Sequence, residues 1–232
     1  MSQPSATERV VEVATPQGPG RFFVAEAAEP VALLALGHGA GGGVDAADLV
    51  ALARALPAAG VTVLRFEQPW RTAGRKIAVR PPLLDEAWLA ALDAVAGVLG
   101  DGLPLLTGGR SAGARVACRT ASALGAAGVV CLAFPLHLPG RPERSRLAEL
   151  LAPDVPRLVL QGSRDTFGSA AEIADALAAG PGGSGSGVRL VELPGADHGF
   201  RVARAAQPGA AELRRRVVNE VTRFVRERAG AG

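Results

Sequence analysis

The chain has few of the residues that build metal centres and disulfide frameworks. Its 232 residues include two cysteines and three histidines, and neither Cys118 nor Cys131 has metal-ligand spacing. Both cysteines fall in apolar segments, where a reduced thiol behaves as a small hydrophobic side chain. We therefore expect no metal, no cofactor and a reducing, cytoplasmic environment.

Long hydrophobic runs are also missing, as is a basic segment followed by an apolar one at the start of the chain. No stretch reaches the roughly 20 apolar residues that a bilayer-spanning helix needs, and nothing indicates a secretory signal. The net charge is only +3, and the one basic run, at 214–216, is predicted to lie on a solvated helix face. We expect neither membrane nor nucleic-acid binding.

What the chain does have is enough apolar sequence for a full core. Hydrophobic residues make up 48% of it, and its length suits a single domain over 1–232 with short flexible tails at 1–9 and 229–232. Segments 10–14 and 22–25 flank a turn rich in proline and glycine and predict an opening hairpin. A glycine-serine segment at 180–187 predicts a flexible tip.

From residue 31 onward, apolar strand candidates alternate with helical segments. The predicted strands cover 31–36, 61–66, 103–106, 129–133, 158–160 and 188–193. The predicted helices cover 46–59, 83–99, 112–124, 144–151, 169–179 and 212–228. This alternation predicts an α/β fold with a mostly parallel sheet covered by helices on both faces.

The most informative motif is G-x-S-x-G at 109–113, with Ser111 at its centre. An apolar strand candidate leads into it and a helix of small residues leads out, which is the context of a nucleophile elbow. Glycines at the two flanking positions let the sharp turn pack against a neighbouring strand and helix. The motif predicts a serine nucleophile at the carboxyl end of a strand.

A serine nucleophile needs a base, and the candidates are His38, His137 and His198. In elbow-containing hydrolases the chain order is serine, then acid, then histidine, and only His198 lies late enough. Asp165 ends the preceding strand candidate and predicts the acid. The alternative is a solvated loop aspartate and a surface histidine.

The glycine-rich loop after strand 31–36 is the candidate for the rest of an oxyanion hole. One N–H should come from Ala112, which follows the nucleophile, and the other from Ala40, with Gly39 as the alternative. A phosphate cradle is disfavoured because the loop lacks the G-K-[ST] ending of a P-loop.

Five ordered motifs, at 37–42, 64–66, 108–115, 134–137 and 195–198, resemble a group of small α/β-hydrolase-like proteins. The group includes bacterial alpha/beta family hydrolases, a testis-expressed animal protein and a subunit of a chromatin-modifying complex. The resemblance runs from about 31 to 200 and implies a lidless α/β-hydrolase fold with dienelactone-hydrolase-like architecture. The group often has methionine where this chain has Ala112, a change expected to open the pocket slightly.

These observations predict a serine hydrolase that cleaves a small ester, thioester or related acyl bond through an acyl-enzyme. The alternatives are a catalytically idle scaffold, which some relatives in the group are, and a small peptidase. Only about twenty residues separate Pro135 from Pro156, where many lipases insert a lid. We therefore expect an open, shallow active site.

Basic residues cluster in the loop after strand 61–66 and suggest a cationic rim. The candidate substrate-binding residues are His38, Arg65, Arg71, Arg75, Lys76, Arg110 and His137. The hypothesis is that the rim favours substrates carrying a carboxylate or phosphate. The alternatives are solvated or paired arginines and, for His137, a loop histidine that is hydrogen-bonded to the backbone.

Overall fold

The computed structural model describes residues 8–96, 102–180 and 187–230. Within this part of the chain, eight strands form one sheet. The strands are β1 (Arg9–Thr15), β2 (Gly18–Ala25), β3 (Ala32–Gly37), β4 (Val61–Glu67), β5 (Leu105–Arg110), β6 (Gly128–Leu132), β7 (Arg157–Gly162) and β8 (Val188–Leu193). Their order across the sheet is β1-β2-β4-β3-β5-β6-β7-β8.

Strands β3 to β8 run parallel, and β1 and β2 add an antiparallel hairpin at the β4 edge. The mostly parallel sheet and the opening hairpin are confirmed. The hairpin turn is tighter than predicted, because Thr15 already pairs with Gly18 and only two residues lie between them. The predicted strand at 103–106 is shifted, since β5 runs on to Arg110 and so reaches the elbow directly.

The described helices are α1 (Ala47–Ala55), α2 (Pro69–Thr72), α3 (Pro81–Ala96), α4 (Ala112–Thr120), α5 (Leu147–Leu151), α6 (Ala170–Ala179) and α7 (Ala210–Arg228). The short helix α2 was not predicted. Helix α1 ends earlier than expected, because a 3₁₀ turn containing Pro57 follows it and Gly60 closes that turn at φ 79°. Helix α6 begins where predicted, because Ser169 and Glu172 form a capping box.

The two faces of the sheet bury different helices. Leu34 and Leu36 of β3 belong to the hydrophobic cluster that includes α1 and α7. Leu33 and Ala35, which alternate with them along β3, belong to the cluster that includes α3. Helices α4, α5 and α6 join a third cluster, with Val129 of β6 among its strand residues. This alternation follows from the two-residue period of a strand and explains its continuous apolar sequence.

Residues 135–156 contain α5 and an isolated bridge between Leu138 and Arg141, so no lid domain covers the sheet there. The predicted tails overlap ordered structure, since Arg9 lies in β1 and Ala229 directly follows α7. The predicted flexible tip falls mainly on 181–186, outside the described residues. Among the described helices, none has the length and apolar character to cross a bilayer.

Cys118 on α4 and Cys131 on β6 are both buried and unoxidised, with their sulfurs 3.5 Å apart. The contact with Cys118 and the burial together raise the pKa of the Cys131 thiol well above its ordinary value. Both residues therefore act as apolar core side chains, as the sequence predicts.

Candidate active site

Ser111 lies in the turn between β5 and α4, in a backbone conformation that side chains rarely adopt. Its φ is 52° and its ψ is −110°, a strained combination for a non-glycine residue. The strain persists because the turn is fixed on both sides. The Ser111 N–H donates to the Leu132 carbonyl at 2.9 Å, and α4 starts at the next residue.

Three glycines let the elbow pack directly on strand β3. A Cβ atom at Gly109 would lie 2.4 Å from the Gly37 carbonyl oxygen, and one at Gly113 would lie 2.3 Å from the same atom. Neither distance is tolerable, and the obstacle is backbone rather than a movable side chain. The glycines at positions −2 and +2 of the motif are therefore required for the close approach of β3, β5 and α4.

The structure brings together the three residues predicted as a catalytic set. The Nε2 atom of His198 lies 3.0 Å from Ser111 Oγ, and its Nδ1 atom lies 2.8 Å from Asp165 Oδ2. Asp165 follows β7 and His198 follows β8, so both reach Ser111 from the carboxyl edge of the sheet. Among the described residues, no group of three His, Cys, Asp or Glu side chains is arranged to bind a metal.

Asp165 is 2% exposed, and its position is fixed by donors other than the histidine. Its Oδ1 accepts the Phe167 N–H at 2.8 Å, and its Oδ2 accepts Gln161 Nε2 at 2.9 Å. Gln161 itself is fully buried and also donates to the Gly168 carbonyl at 2.6 Å. Sequence reasoning missed Gln161. Its only signal in the sequence is a polar side chain directly after the apolar run at 158–160.

Arg110 holds the loop that carries His198. Its guanidinium donates to the His198 carbonyl and to Asp48 Oδ2, the latter at 2.5 Å, and lies 5.3 Å from the centroid of the Phe200 ring. The Phe167 ring also packs against His198, with its centroid 4.3 Å from that of the imidazole. Arg110, predicted as a substrate contact, lines the cleft beside Ser111, and its hydrogen bonds join parts of the protein.

The glycine-rich loop packs directly beside the nucleophile. A Cβ atom at Gly39 would lie 3.5 Å from Ser111 Cβ. The Gly39 carbonyl accepts a hydrogen bond from His38 Nδ1 at 2.9 Å, so the N–H of Ala40, on the opposite side of the same peptide, faces away from His38. Among the described residues, neither the Ala40 N–H nor the Ala112 N–H donates to another group.

Two of the predicted substrate contacts are buried histidines with protein partners. His38 is 4% exposed, and its Nε2 accepts the Gln68 N–H at 3.2 Å. Burial lowers the pKa of His38 and so favours the neutral ring. The hydrogen bond to the Gly39 carbonyl has the opposite, smaller effect. His137 contacts the Leu138 carbonyl and Glu172, and it does not line the cleft at Ser111. The contact of His137 with the Leu138 carbonyl fits the backbone-bonded alternative, and both ring nitrogens of His38 have protein partners.

Apart from Arg110, the arginines and the lysine of the predicted basic rim do not line the cleft beside Ser111. Arg65 is 4% exposed, and its guanidinium donates to the Val44 carbonyl and pairs with Glu8 at the surface. Arg71, Arg75 and Lys76 are exposed, but none of them lines the cleft beside the nucleophile. Arg65 faces inward because its register on β4, a strand enclosed by β2 and β3, directs it toward the Val44 loop.

The cleft beside Ser111 has a volume of about 760 Å³. Its walls are the glycine-rich loop, the start of α1, the 197–202 segment and the first turns of α7. This volume is typical of small-molecule sites. Arg201 and Arg214 line it, and neither forms an ion pair with any carboxylate among the described residues.

Solved structures with the same fold cover nearly the whole chain. An alpha-beta serine hydrolase homologue from Coxiella burnetii is 20% identical, with a TM-score of 0.74 over 95% of this chain and 100% of that one. A serine hydrolase without lid from Xanthomonas campestris is 22% identical, with a TM-score of 0.69 over 97% and 98%. The carboxylesterase EstE1, from a metagenomic library, is 19% identical, with a TM-score of 0.67 over 97% and 91%.

No curated protein matches the chain. A family model described as an alpha/beta hydrolase domain matches residues 30–226, which include every strand from β3 onward and the three residues of the candidate triad. Sheet order, elbow and lidless architecture agree with that match. The chain therefore belongs to the alpha/beta hydrolase family.

Proposed function

We propose that the protein is a serine hydrolase that cleaves a small ester, thioester or related acyl bond through an acyl-enzyme intermediate. The observation that carries the proposal is the continuous hydrogen-bond chain from Asp165 through His198 to Ser111, at 2.8 and 3.0 Å. Ser111 stands at the head of this chain on a strained turn, beside a cleft of ligand size. Family membership supports hydrolase activity in general.

In the acylation step, Ser111 Oγ attacks the acyl carbon while His198 Nε2 takes the hydroxyl proton. Asp165 holds the proton on Nδ1, which keeps Nε2 available as the acceptor. The bond from the acyl carbon to the leaving oxygen or sulfur then breaks, and His198 gives its proton to that atom. An alcohol or thiol leaves, and the acyl group stays on Ser111.

In the deacylation step, water attacks the acyl carbon and His198 takes one of its protons. The bond to Ser111 Oγ breaks, and the proton passes from His198 to the serine. The products are a carboxylic acid and the regenerated enzyme. Both steps place negative charge on the former carbonyl oxygen, and preorganised N–H donors stabilise such charge.

The donors we assign to the oxyanion are the N–H groups of Ala112 and Ala40. Ala112 is the first residue of α4, whose N-terminus also favours negative charge. The Ala40 N–H belongs to the peptide unit whose carbonyl, that of Gly39, bonds to His38, so the N–H points to the opposite side from His38. The remaining candidate is the Gly39 N–H, which belongs to the same loop.

The test is labelling with a fluorophosphonate probe, which reacts with activated serines. We expect wild-type protein to be labelled at Ser111 and Ser111→Ala to be unlabelled. Ester hydrolysis should fall by about a million-fold in that variant, while its thermal unfolding stays close to that of wild type. Retention of more than about one hundredth of the rate would place the nucleophile elsewhere, and an unlabelled wild type would favour a scaffold.

A further inference from the structure

One aromatic side chain lies against the imidazole that serves as the base in the proposed reaction. The Phe167 ring has its centroid 4.3 Å from that of His198, and the two ring planes are inclined by 31°. Two rings so nearly parallel can approach this closely only with their faces in contact, because rings lying side by side are held further apart by their edges. The face of Phe167 therefore covers one face of His198.

The ring has a fixed position because its backbone is hydrogen-bonded on both sides. The Phe167 N–H donates to Asp165 Oδ1 at 2.8 Å, and the Phe167 carbonyl accepts the His137 N–H at 3.0 Å. The N–H of the next residue, Gly168, donates to the Asp165 carbonyl at 3.3 Å. One turn thus fixes both the acid and the aromatic ring relative to His198.

A ring in this position has two opposite effects on the charge that His198 carries after it takes a proton. As an apolar cover it removes water, which disfavours the imidazolium. As a π system it presents a negative face, which attracts a cation within about 6 Å of its centroid. The imidazole lies within that range, and the His198 side chain is still 23% exposed, so it keeps part of its hydration. The attraction therefore outweighs the loss of water.

Charged side chains also act on this imidazole. Besides Asp165, which contacts Nδ1 at 2.8 Å, those that line the same cleft are Asp48, Arg110, Asp197, Arg201 and Arg214. Among the described residues, none of their hydrogen bonds or ion pairs involves the Phe167 side chain. A change confined to the electrons of that ring therefore leaves this electrostatic background in place.

We propose that Phe167 is a positioning residue whose ring stabilises the His198 imidazolium that forms when Ser111 gives up its proton. The inference rests on the proposed hydrolase function, because it concerns the base of that reaction. The proton moves from Ser111 Oγ to His198 Nε2 and then to the leaving atom, and the ring itself makes and breaks no bond. Because the imidazolium forms in both acylation and deacylation, the ring lowers the barrier of each step.

The test replaces Phe167 by mono-, tri- and pentafluorinated phenylalanine, which withdraw electrons from the ring face and keep the apolar cover. We expect kcat to fall stepwise along the series, by about two- to tenfold in total. A less stable imidazolium loses its proton at lower pH, so the acid limb of kcat/KM should move to lower pH by about 0.3–1 unit. An unchanged kcat with an unmoved limb, or a limb moved to higher pH, would overturn the proposal.

The matched control is the same fluorinated series at Phe23. Its ring also contacts a cation, since Arg65 Cζ lies 5.7 Å from its centroid, but Phe23 is on β2 and does not line the cleft. The control series should keep the wild-type kcat and acid limb. An equal decline in it would show that fluorination acts through the fold and would overturn a local effect at His198.

A titration of His198 in Ser111→Ala separates this inference from the proposed function, because it requires no turnover. The other two histidines are His38 and His137, so the imidazole C–H signal of His198 is identified by its loss in His198→Gln. We expect the titration midpoint to lie at lower pH with pentafluorinated Phe167 than with phenylalanine. Phe167→Leu, which keeps an apolar cover without a π face, should shift it in the same direction.

The two measurements fail in different ways. A lowered midpoint in a protein without Ser111-dependent hydrolysis would support the role of Phe167 while the proposed function fails. An equal or higher midpoint in both the pentafluorinated protein and Phe167→Leu would overturn the role of the ring, whether or not the wild type hydrolyses esters.

Discussion

At the scale of single residues, the candidate triad depends on side chains that surround it. Both oxygens of Asp165 already have donors, from Phe167 on one side and from Gln161 and His198 on the other. Because each oxygen accepts from an N–H group, an amide NH₂ in place of either oxygen would face a donor. The acid therefore has a fixed orientation before any substrate arrives, and it holds one tautomer of the histidine.

Asp165→Asn should abolish most activity with little change in size. If the new NH₂ replaces Oδ2, it faces Gln161 Nε2 and donates to His198 Nδ1, which moves the ring proton to Nε2 and blocks acceptance of the serine proton. If it replaces Oδ1, it opposes the Phe167 N–H. We expect kcat to fall roughly ten-thousand-fold, measured beside thermal unfolding. Near-wild-type kcat would move the acid role to another residue.

Arg110 is the second residue whose effect reaches the triad through a neighbour. Arg110→Lys keeps a positive charge for buried Asp48, but a lysine cannot donate to Asp48 and to the His198 carbonyl with the fixed geometry of a guanidinium. We expect kcat to fall up to about a hundredfold through misplacement of the imidazole, with KM little changed. Unchanged kcat in a folded variant would show that the loop is held without Arg110.

At the scale of elements, the sequence predicted the mostly parallel sheet, the alternation of its strands with helices, and the three side chains that the structure brings together as a candidate triad. These depend on local signals, such as the period of apolar residues and the elbow motif. The role of Arg110 depends on Asp48 and His198, which are 62 and 88 residues away in sequence, and no local pattern records such a contact. The burial of Arg65 was missed for the same reason, because Arg65 meets Glu8 and Val44 only after the sheet has formed.

The helices on the α3 side are joined by a charged network that no sequence pattern indicated. Glu149 of α5 accepts hydrogen bonds from Arg115 and Arg119 of α4, both at 2.6 Å, and Arg119 also pairs with Asp85 of α3 at 2.6 Å. Burial alone would raise the pKa of Glu149, but the two arginines outweigh it and lower that pKa below its usual value.

Glu149→Gln should destabilise the protein at neutral pH by about 1–3 kcal/mol, because it weakens charged hydrogen bonds that are partly buried. A carboxylate whose pKa is lower when folded stabilises the fold above its unfolded pKa of about 4.3 and loses that effect as pH falls through the folded value. The difference between variant and wild type should therefore shrink below about pH 4.

Denaturant unfolding of both proteins across this pH range measures the effect of Glu149. Glu12→Gln is the control, because it breaks the exposed pair with Arg21 and should cost about 0–1 kcal/mol. A stability difference for Glu149→Gln that stays constant down to pH 3.5 would contradict the linkage argument.

At the scale of the whole molecule, the arginines near the site differ in whether they have partners within the protein. Several arginines near the site are tied to carboxylates or carbonyls, Arg65 and Arg110 among them. Arg201 and Arg214 line the large cleft and form no ion pair with the described carboxylates. The cleft arginines without a carboxylate partner therefore lie in the 197–202 segment and at the start of α7, and the loop after β4 contributes no lining residue.

An ester that carries a carboxylate should thus react faster than the matching carboxamide ester at low ionic strength. Screening lengths shrink from about 30 Å at 0.01 M salt to about 3 Å at 1 M, so the anionic advantage in kcat/KM should decline across that range. Arg214→Gln should reduce the advantage at low salt, whereas Arg75→Gln, which lies outside the cleft, should leave it unchanged. Equal rates for the two esters at low salt would contradict an attractive cleft. An effect confined to Arg75→Gln would return the cationic rim to the loop after β4.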